Sequence, residues 1–326
     1  NSVEVVDFAS FLSGADKNTA ANAILRSFQK TGFVYLINHG FPQSEIDKMF
    51  DWSKKFFSLS LDEKMLAPHP PSGTHHRGYS PLGMEKIVQN LDDAKGLAKN
   101  RAYLQDVKES FECGREEDEI MPNIWLPENV LPGFKKACLD FFWKVFELQK
   151  AILRALAIAL DIPEDYLVQY HTKPDNQLRL LRYPSVPSEA LEMNRITRID
   201  GHSDYGSITI VFQDDVGGLE VEDPSTPGSF LPVPPFPGSI VVNAGDLLMR
   251  WSNDTIRSTI HRVRAPPNVT NEDGMVPERY SIPYFVCPDF STVIDTIPGT
   301  WSDKRPKRYE PIVAGGHFMK RLAASY

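Results

Sequence analysis

The sequence predicts an α+β chain with a mainly antiparallel β core, a sandwich or barrel, and helices packed on its outside. Three observations lead there. From residue 177 onward, short β-rich runs alternate with Pro, Gly and Asp turns, at 177–183, 207–212, 218–222, 239–243, 247–251, 258–264 and 279–286; many short strands at this spacing suit a closed or double-layered antiparallel sheet. Between Leu131 and Leu160, Phe134, Leu139, Phe142, Phe146, Leu153, Leu156 and Leu160 give a strong helical stripe, which reads as core. The opening alternates strand and helix, and no repeat, low-complexity tract or long linker divides the chain. Residues 1–326 therefore read as one domain, mostly helical over 1–165 and β-rich over 166–326.

Taken in order, Val3 to Phe8 reads as a strand, and Asn18 to Lys30 as a helix with Ala21, Ile24, Leu25 and Phe28 on one side. Gly32 to Gly40 reads as a strand ended by its glycine. Ser44 to Phe57 reads as a helix N-capped by Ser44, with Ile46, Met49, Phe50 and Phe57 as its apolar face. Residues 67–83, rich in Pro and Gly, are loop chemistry. His69, His75 and His76 within them are expected to be solvated, the alternative being a mobile loop beside a site. Turns and short helices are expected over 84–108, and a solvated acidic turn at Arg115 to Glu119.

Lys and Arg number 35 against 43 Asp and Glu, a net charge of -8, which disfavours nucleic acid or an anionic membrane surface and leaves small molecules as partners. Cys113, Cys138 and Cys287 are odd in number and widely spaced, so buried thiols are expected and not a disulfide framework. The most apolar helical stretch is interrupted by Asp140, Lys144, Glu147, Lys150 and Arg154, so no membrane span is expected. With no secretory signal visible at the start, the chain reads as cytosolic.

The candidate chemistry centres on 198–212, Arg-Ile-Asp-Gly-His-Ser-Asp-Tyr-Gly-Ser-Ile-Thr-Ile-Val-Phe. In extended chain, residues i and i+2 share a face, so His202 and Asp204 aim an imidazole and a carboxylate at one point. His261, inside a later apolar-alternating run, can complete two histidines and an acid. That set suits non-haem Fe(II) oxygenases, and zinc hydrolases use it as well. On the strand from Arg279, the residues Arg279, Ser281, Pro283 and Phe285 share a face. A guanidinium fork with an adjacent hydroxyl can hold a carboxylate in a dry pocket, which suits a 2-oxo acid. On the strand from Gln177, Arg179, Leu181 and Tyr183 likewise alternate onto one face. Arg179 is there a substrate anchor or half of a structural ion pair.

With these residues in this order, the chain resembles the Fe(II)/2-oxoglutarate dioxygenases of the isopenicillin N synthase-like family, from Val-Val-Asp-Phe8 and Gly32 to Gly40 through Arg279-Tyr-Ser281. The stretches from His202 to Asp214 and from Val242 to Ile256 are especially similar to a fungal branch containing thymine 7-hydroxylase and oxygenases of polyketide (citrinin and tropolone) pathways. The resemblance implies a double-stranded β-helix, or jelly roll, flanked by helices, with the metal site in 166–326. It implies Fe(II) on His202, Asp204 and His261, and 2-oxoglutarate on Arg279 and Ser281 with the Tyr183 hydroxyl. Arg179, Leu181, Tyr205 and Phe285 would line the substrate pocket. The expected activity, with O2 as oxidant, is oxidation of a methyl or methylene C–H on a small planar aromatic or heteroaromatic compound of the polyketide type, 2-oxoglutarate being decarboxylated to succinate and CO2. A thymine or pyrimidine methyl hydroxylase is the nearest alternative. An oxidase that uses no 2-oxoglutarate and a non-catalytic jelly-roll binder are further rivals. The segment between His261 and Arg279 is longer than in plant relatives and reads as a surface loop over 266–274.

Overall fold

The computed structural model describes residues 3–84, 105–193, 196–266 and 273–323. The strands of its two large sheets are numbered here β1 (Glu4–Asp7), β2 (Phe33–Ile37), β3 (Gly78–Ser80), β4 (Glu109–Cys113), β5 (Gln177–Tyr183), β6 (Ile199–His202), β7 (Ile208–Gln213), β8 (Leu219–Glu222), β9 (Phe230–Pro232), β10 (Ser239–Ala244), β11 (His261–Val263) and β12 (Arg279–Val286). Five helices matter to the site or its support: α1 (Lys17–Lys30), α2 (Gln43–Phe57), α3 (Phe134–Ala159), α4 (Asp246–Trp251) and α5 (Ala314–Leu322).

The larger sheet has eight strands in the order β1-β2-β10-β7-β12-β5-β4-β3, and the smaller has four in the order β9-β8-β11-β6. From β5 to β12 the chain steps back and forth between the two sheets, with only β8 and β9 consecutive in one, which is the jelly-roll winding. The early strands β1 to β4 widen the larger sheet on both sides of that roll. The pleat then sorts the side chains. Along β12, Tyr280, Ile282, Tyr284 and Val286 join the large core beneath the helices, while Arg279, Ser281, Pro283 and Phe285 face the interior between the sheets. Along β5, Leu178 and Leu180 go to the helix side and Arg179, Leu181 and Tyr183 to the interior.

Of the α3 stripe, Phe134, Phe142, Phe146, Leu153 and Leu156 are buried and Leu139 is not; the Phe142 ring lies tilted 5.2 Å from Tyr284, and the neighbouring Phe141 edge-on 5.1 Å from Phe212. In α1, Ala21, Ile24 and Phe28 are buried, and an N-cap Asp16 accepts from the Thr19 amide. The three thiols are free and buried. Among the described residues, no helix is long and apolar enough to cross a membrane.

Several local expectations are corrected. Residues 247–251 form helix α4 and not a strand. Its first amides are drawn to the turn carrying Asp204: Asp246 N donates to Asp204 O at 2.8 Å and Leu247 N to Gly206 O at 3.1 Å. An apolar run of five cannot announce such distant partners. The run at 258–264 contracts to β11, within which the pairing with β6 shifts register between His261 and Val263. Ser44 is not a cap; α2 starts one residue earlier, with Pro42 in the N-cap position and no side-chain cap. His69 and His76 are buried and not solvated, since 67–83 contains β3, which pairs with β4, and closes on itself through His69 N to Tyr79 O and Tyr79 N to Ala67 O. In the acidic turn, Asp118 is buried, bonding Arg77 and the amides of Ile120 and Met121. The turns expected over 84–108 fall largely on 85–104, and the loop over 266–274 largely on 267–272, outside the described residues.

One buried group sets a pH dependence. His171 accepts or donates between Leu167 O (2.7 Å) and Ser207 Oγ (2.8 Å), and burial pushes its imidazole down from 6.5 to about 4. The folded state prefers it neutral, so its contribution is complete above pH 6.5 and is lost as the pH falls toward 4. Wild type should lose on the order of 2 kcal/mol more than His171→Gln between pH 8 and pH 5 in urea denaturation. Identical losses would show that His171 is not the responsible group.

Candidate active site

The site is built on a short turn. After β6 the chain bends through Ser203 to Ser207 before entering β7. Ser207 N donates to Val286 O at 2.8 Å and Gly245 N to Ser207 O at 2.9 Å. The packing leaves no room for side chains: a Cβ on Gly206 would stand 2.2 Å from Val286 O, and one on Gly245 2.3 Å from Gly206 O. Two glycines let three backbone segments touch, and the turn is held from β12 and from the start of α4.

This turn, together with β6 and β11, assembles the predicted ligand set. His202 and His261 face each other as register partners, with ring centroids 4.3 Å apart. Asp204 Oδ1 is 3.9 Å from His202 Nε2 and 3.7 Å from His261 Nε2, and one ligand atom from each of the three lies within 4.8 Å of the others. The remaining polar atoms are already engaged. His202 Nδ1 bonds Asp200 O at 2.8 Å and His261 Nδ1 bonds Thr259 O at 3.1 Å. Each backbone carbonyl requires the proton on Nδ1, which leaves the Nε2 lone pair free to coordinate. Asp204 Oδ2 accepts from Thr209 Oγ1 (2.6 Å) and Asn243 Nδ2 (2.7 Å), so Oδ1 is the oxygen turned toward the imidazoles.

Ionisation suits metal binding too. Burial, then the neighbouring His261, pushes His202 down to about 3, keeping it neutral. Burial alone would raise Asp204, but the two imidazoles and the Thr209 and Asn243 bonds hold it below the usual carboxylate range. A neutral His202 imidazole and an ionised Asp204 carboxylate are forms a divalent metal needs.

Two cavities meet here and share Arg179, His202, Asp204 and Phe285. The inner chamber runs between the sheets and is lined by Leu181, Tyr183, Ser281 and Arg279 among others. Arg279 is 1% exposed; its Cζ lies 5.2 Å from the Tyr183 ring and its Nη2 donates to Gln213 Oε1 at 3.3 Å. Its Nε and Nη1 are buried without a hydrogen-bond partner. Buried donors of this kind are costly unless something accepts from them, and a carboxylate fits the fork. Arg198 is wholly buried near the same ring, 5.9 Å from it, and donates to Pro277 O. Burial and then Arg279 lower its pKa to about 10.

The outer chamber is lined by His76, Gln177, Tyr205, Phe318 and Leu322 besides the shared residues. Of the four residues expected to contact substrate, Arg179 and Phe285 line both chambers, Tyr205 the outer and Leu181 the inner. The sequence reading overlooked the cover. Helix α5 brings Phe318 to 6.4 Å from the Tyr205 ring, and Arg321 lies 4.6 Å over that ring and 3.4 Å from Asp246 Oδ2. Ala314, Phe318 and Leu322 recur every fourth residue, a signal that was available. Thr209 and Asn243 were also overlooked, although each is a polar residue inside an otherwise β-branched run.

Fold and site together describe a jelly roll in which two histidines and a carboxylate could hold a metal ion, beside a chamber lined by the buried Arg279 guanidinium. Residues 165–288 match the model of the 2OG-Fe(II) oxygenase superfamily, and residues 3–129 that of the N-terminal region described as "non-haem dioxygenase in morphine synthesis". The chain belongs to the 2OG-Fe(II) oxygenase superfamily; it is a 2-oxoglutarate-dependent dioxygenase, using Fe(II), 2-oxoglutarate and O2. It is 38% identical to the proline hydroxylase buaE of Petromyces alliaceus, over 99% of each chain. It is 36% identical to the 2-oxoglutarate-dependent dioxygenase ecdK of Aspergillus rugulosus, over all of both. Among solved structures, thymine 7-hydroxylase of Neurospora crassa in complex with α-ketoglutarate and thymine superposes with a TM-score of 0.89 at 41% identity, covering 99% of this chain and 97% of that one.

The bonds to Asp204 Oδ2 make a direct prediction. Asn243→Ala and Thr209→Val should each weaken divalent-metal binding about 10- to 100-fold, as loss of outer-shell partners does. Calorimetric titration with Mn(II) measures this; unchanged affinity would show that the two bonds do not orient the carboxylate.

Proposed function

We propose that this dioxygenase holds iron on His202 Nε2, His261 Nε2 and Asp204 Oδ1, and oxidises a methyl or methylene C–H of a small planar aromatic or heteroaromatic substrate. Bound there, iron supplies the redox chemistry that couples decarboxylation of 2-oxoglutarate to succinate and CO2 with oxidation of the C–H bond. The protein supplies position and dryness. Arg279 and Ser281 take the distal carboxylate of 2-oxoglutarate, with the Tyr183 hydroxyl beside them and Leu181 shaping the same wall. The observation that carries this reading is the Arg279 guanidinium: it is buried, it has two nitrogens without partners, and it lines the same chamber as the three ligand side chains.

In the outer chamber, Tyr205 and Phe285 offer ring faces and Arg179 a donor for a carbonyl or phenolic oxygen, while Phe318 and Leu322 exclude water. A polyketide-type aromatic fits these features. Thymine or a related pyrimidine is the second reading, favoured by the likeness to a structure determined with thymine bound. We further read the chain as a single folded unit, because β1 and β2 hydrogen-bond to the sheet that carries β5 and β12. We place it in the cytosol, in keeping with its three free thiols.

Succinate release should require both 2-oxoglutarate and a substrate, assayed across methylated pyrimidines and methylated aromatic polyketides. Oxygen consumption without 2-oxoglutarate would overturn the proposal. Arg279→Gln should raise the KM for 2-oxoglutarate about 10- to 100-fold, the loss expected for charge-assisted bonds. His202→Ala should abolish tight Fe(II) binding in anaerobic titration.

A further inference from the structure

Arg179 is the only residue lining the outer chamber, among the described residues, that carries a formal charge and is not one of the candidate metal ligands. It does not stand alone. Arg179 and Glu112 are directly opposed across the antiparallel β4–β5 pair, and Arg179 Nε lies 2.9 Å from Glu112 Oε1. Glu112 is fully buried, with 0% exposure, and is absent from the lining of either chamber. Ser110 Oγ donates to the same Glu112 oxygen at 2.6 Å. On its other side the guanidinium lies 5.5 Å over the Phe285 ring. The cation is thus fixed between a hidden carboxylate and an aromatic face, with its charge balanced from behind.

This balance decides what the chamber can accept. A substrate carboxylate placed on Arg179 would make two buried carboxylates share one guanidinium, leaving an uncompensated negative charge in a desolvated site. An uncharged carbonyl would take a hydrogen bond and add no charge to the site. A zwitterionic amino acid fares no better, because Glu112 is shielded from the chamber and no other free carboxylate lines it among the described residues.

We propose that Glu112 is a specificity-determining residue: by neutralising Arg179 from behind, it makes that guanidinium a hydrogen-bond donor to the carbonyl of an uncharged substrate and not a counter-ion for a carboxylate. This rests on the assignment of the outer chamber to substrate under the proposed function. It also separates this chain from any relative whose substrate presents a free carboxylate there.

The test uses pairs of the same shape and different charge: 3-methylbenzamide with 3-methylbenzoate, and orotamide with orotate. Affinities are measured by calorimetry on the full chain loaded with Mn(II) and 2-oxoglutarate. Wild type should bind the neutral member at least 10-fold more tightly. Glu112→Gln, which keeps the shape and removes the charge, should shift the ratio at least 10-fold toward the anion. A wild-type preference for the anions, or a folded Glu112→Gln with an unchanged ratio, would overturn the proposal. If Glu112→Gln does not fold, the wild-type ratio alone decides. Succinate release coupled to 2-oxoglutarate is followed separately. Its absence would count against the proposed oxygenase assignment, whereas a failed charge preference in an active enzyme would count only against Glu112.

Discussion

The site depends on one constraint, the fixed direction of the Asp204 carboxylate. A carboxylate at the end of a strand would ordinarily rotate, and rotation would take its oxygen away from the two imidazoles. Here Thr209 and Asn243, on neighbouring strands of the larger sheet, grip one oxygen. The backbone around Asp204 is gripped in turn by the first amides of α4 and by Val286. His202 and His261 come from the smaller sheet, so the centre is where the two sheets of the roll are joined chemically. Such a site is rigid because its supports belong to the fold and not to a loop of their own.

A second theme is the double use of strands β5 and β12. Each sends one row of side chains into the helix-covered core and the other into the chambers. The apolar row anchors the strand, and the polar row therefore sits at fixed height and spacing. Interior charge is managed the same way. Arg179 meets Glu112 from the adjoining strand, whereas Arg279 keeps two donors unengaged. The two guanidiniums have the same chemistry and different surroundings, one set against an internal carboxylate and one with two donors that no protein group accepts from.

Much of this was legible because it is periodic. Alternation on 177–183 and 279–286 placed Arg179, Tyr183, Arg279, Ser281 and Phe285 on inward faces, and the observed strands β5 and β12 have those bounds. The pairing of His261 with His202 needed the whole family pattern, since a lone histidine in a strand announces nothing. What stayed hidden depends on distant partners. Helix α4 exists because its amides reach the Asp204 turn. His69 and His76 are buried because 67–83 folds onto β4. Glu112 looks like one acid among many until β4 is laid beside β5. The cover formed by α5 is the exception: its apolar period of four was in plain view.

The tight backbone contact at Gly206 and Gly245 bears on how this chamber can evolve. Tyr205 belongs to a turn with no spare space, so changes there disturb the metal centre. Phe318 and Leu322 belong to α5, which meets the turn where Phe318 and Arg321 lie against the Tyr205 ring and meets α4 where Arg321 pairs with Asp246. Their identities can drift without moving a ligand. Diversification of substrate range, by natural selection or by design, has its most permissive ground on that helix, while the opposite wall of the same chamber is held constant.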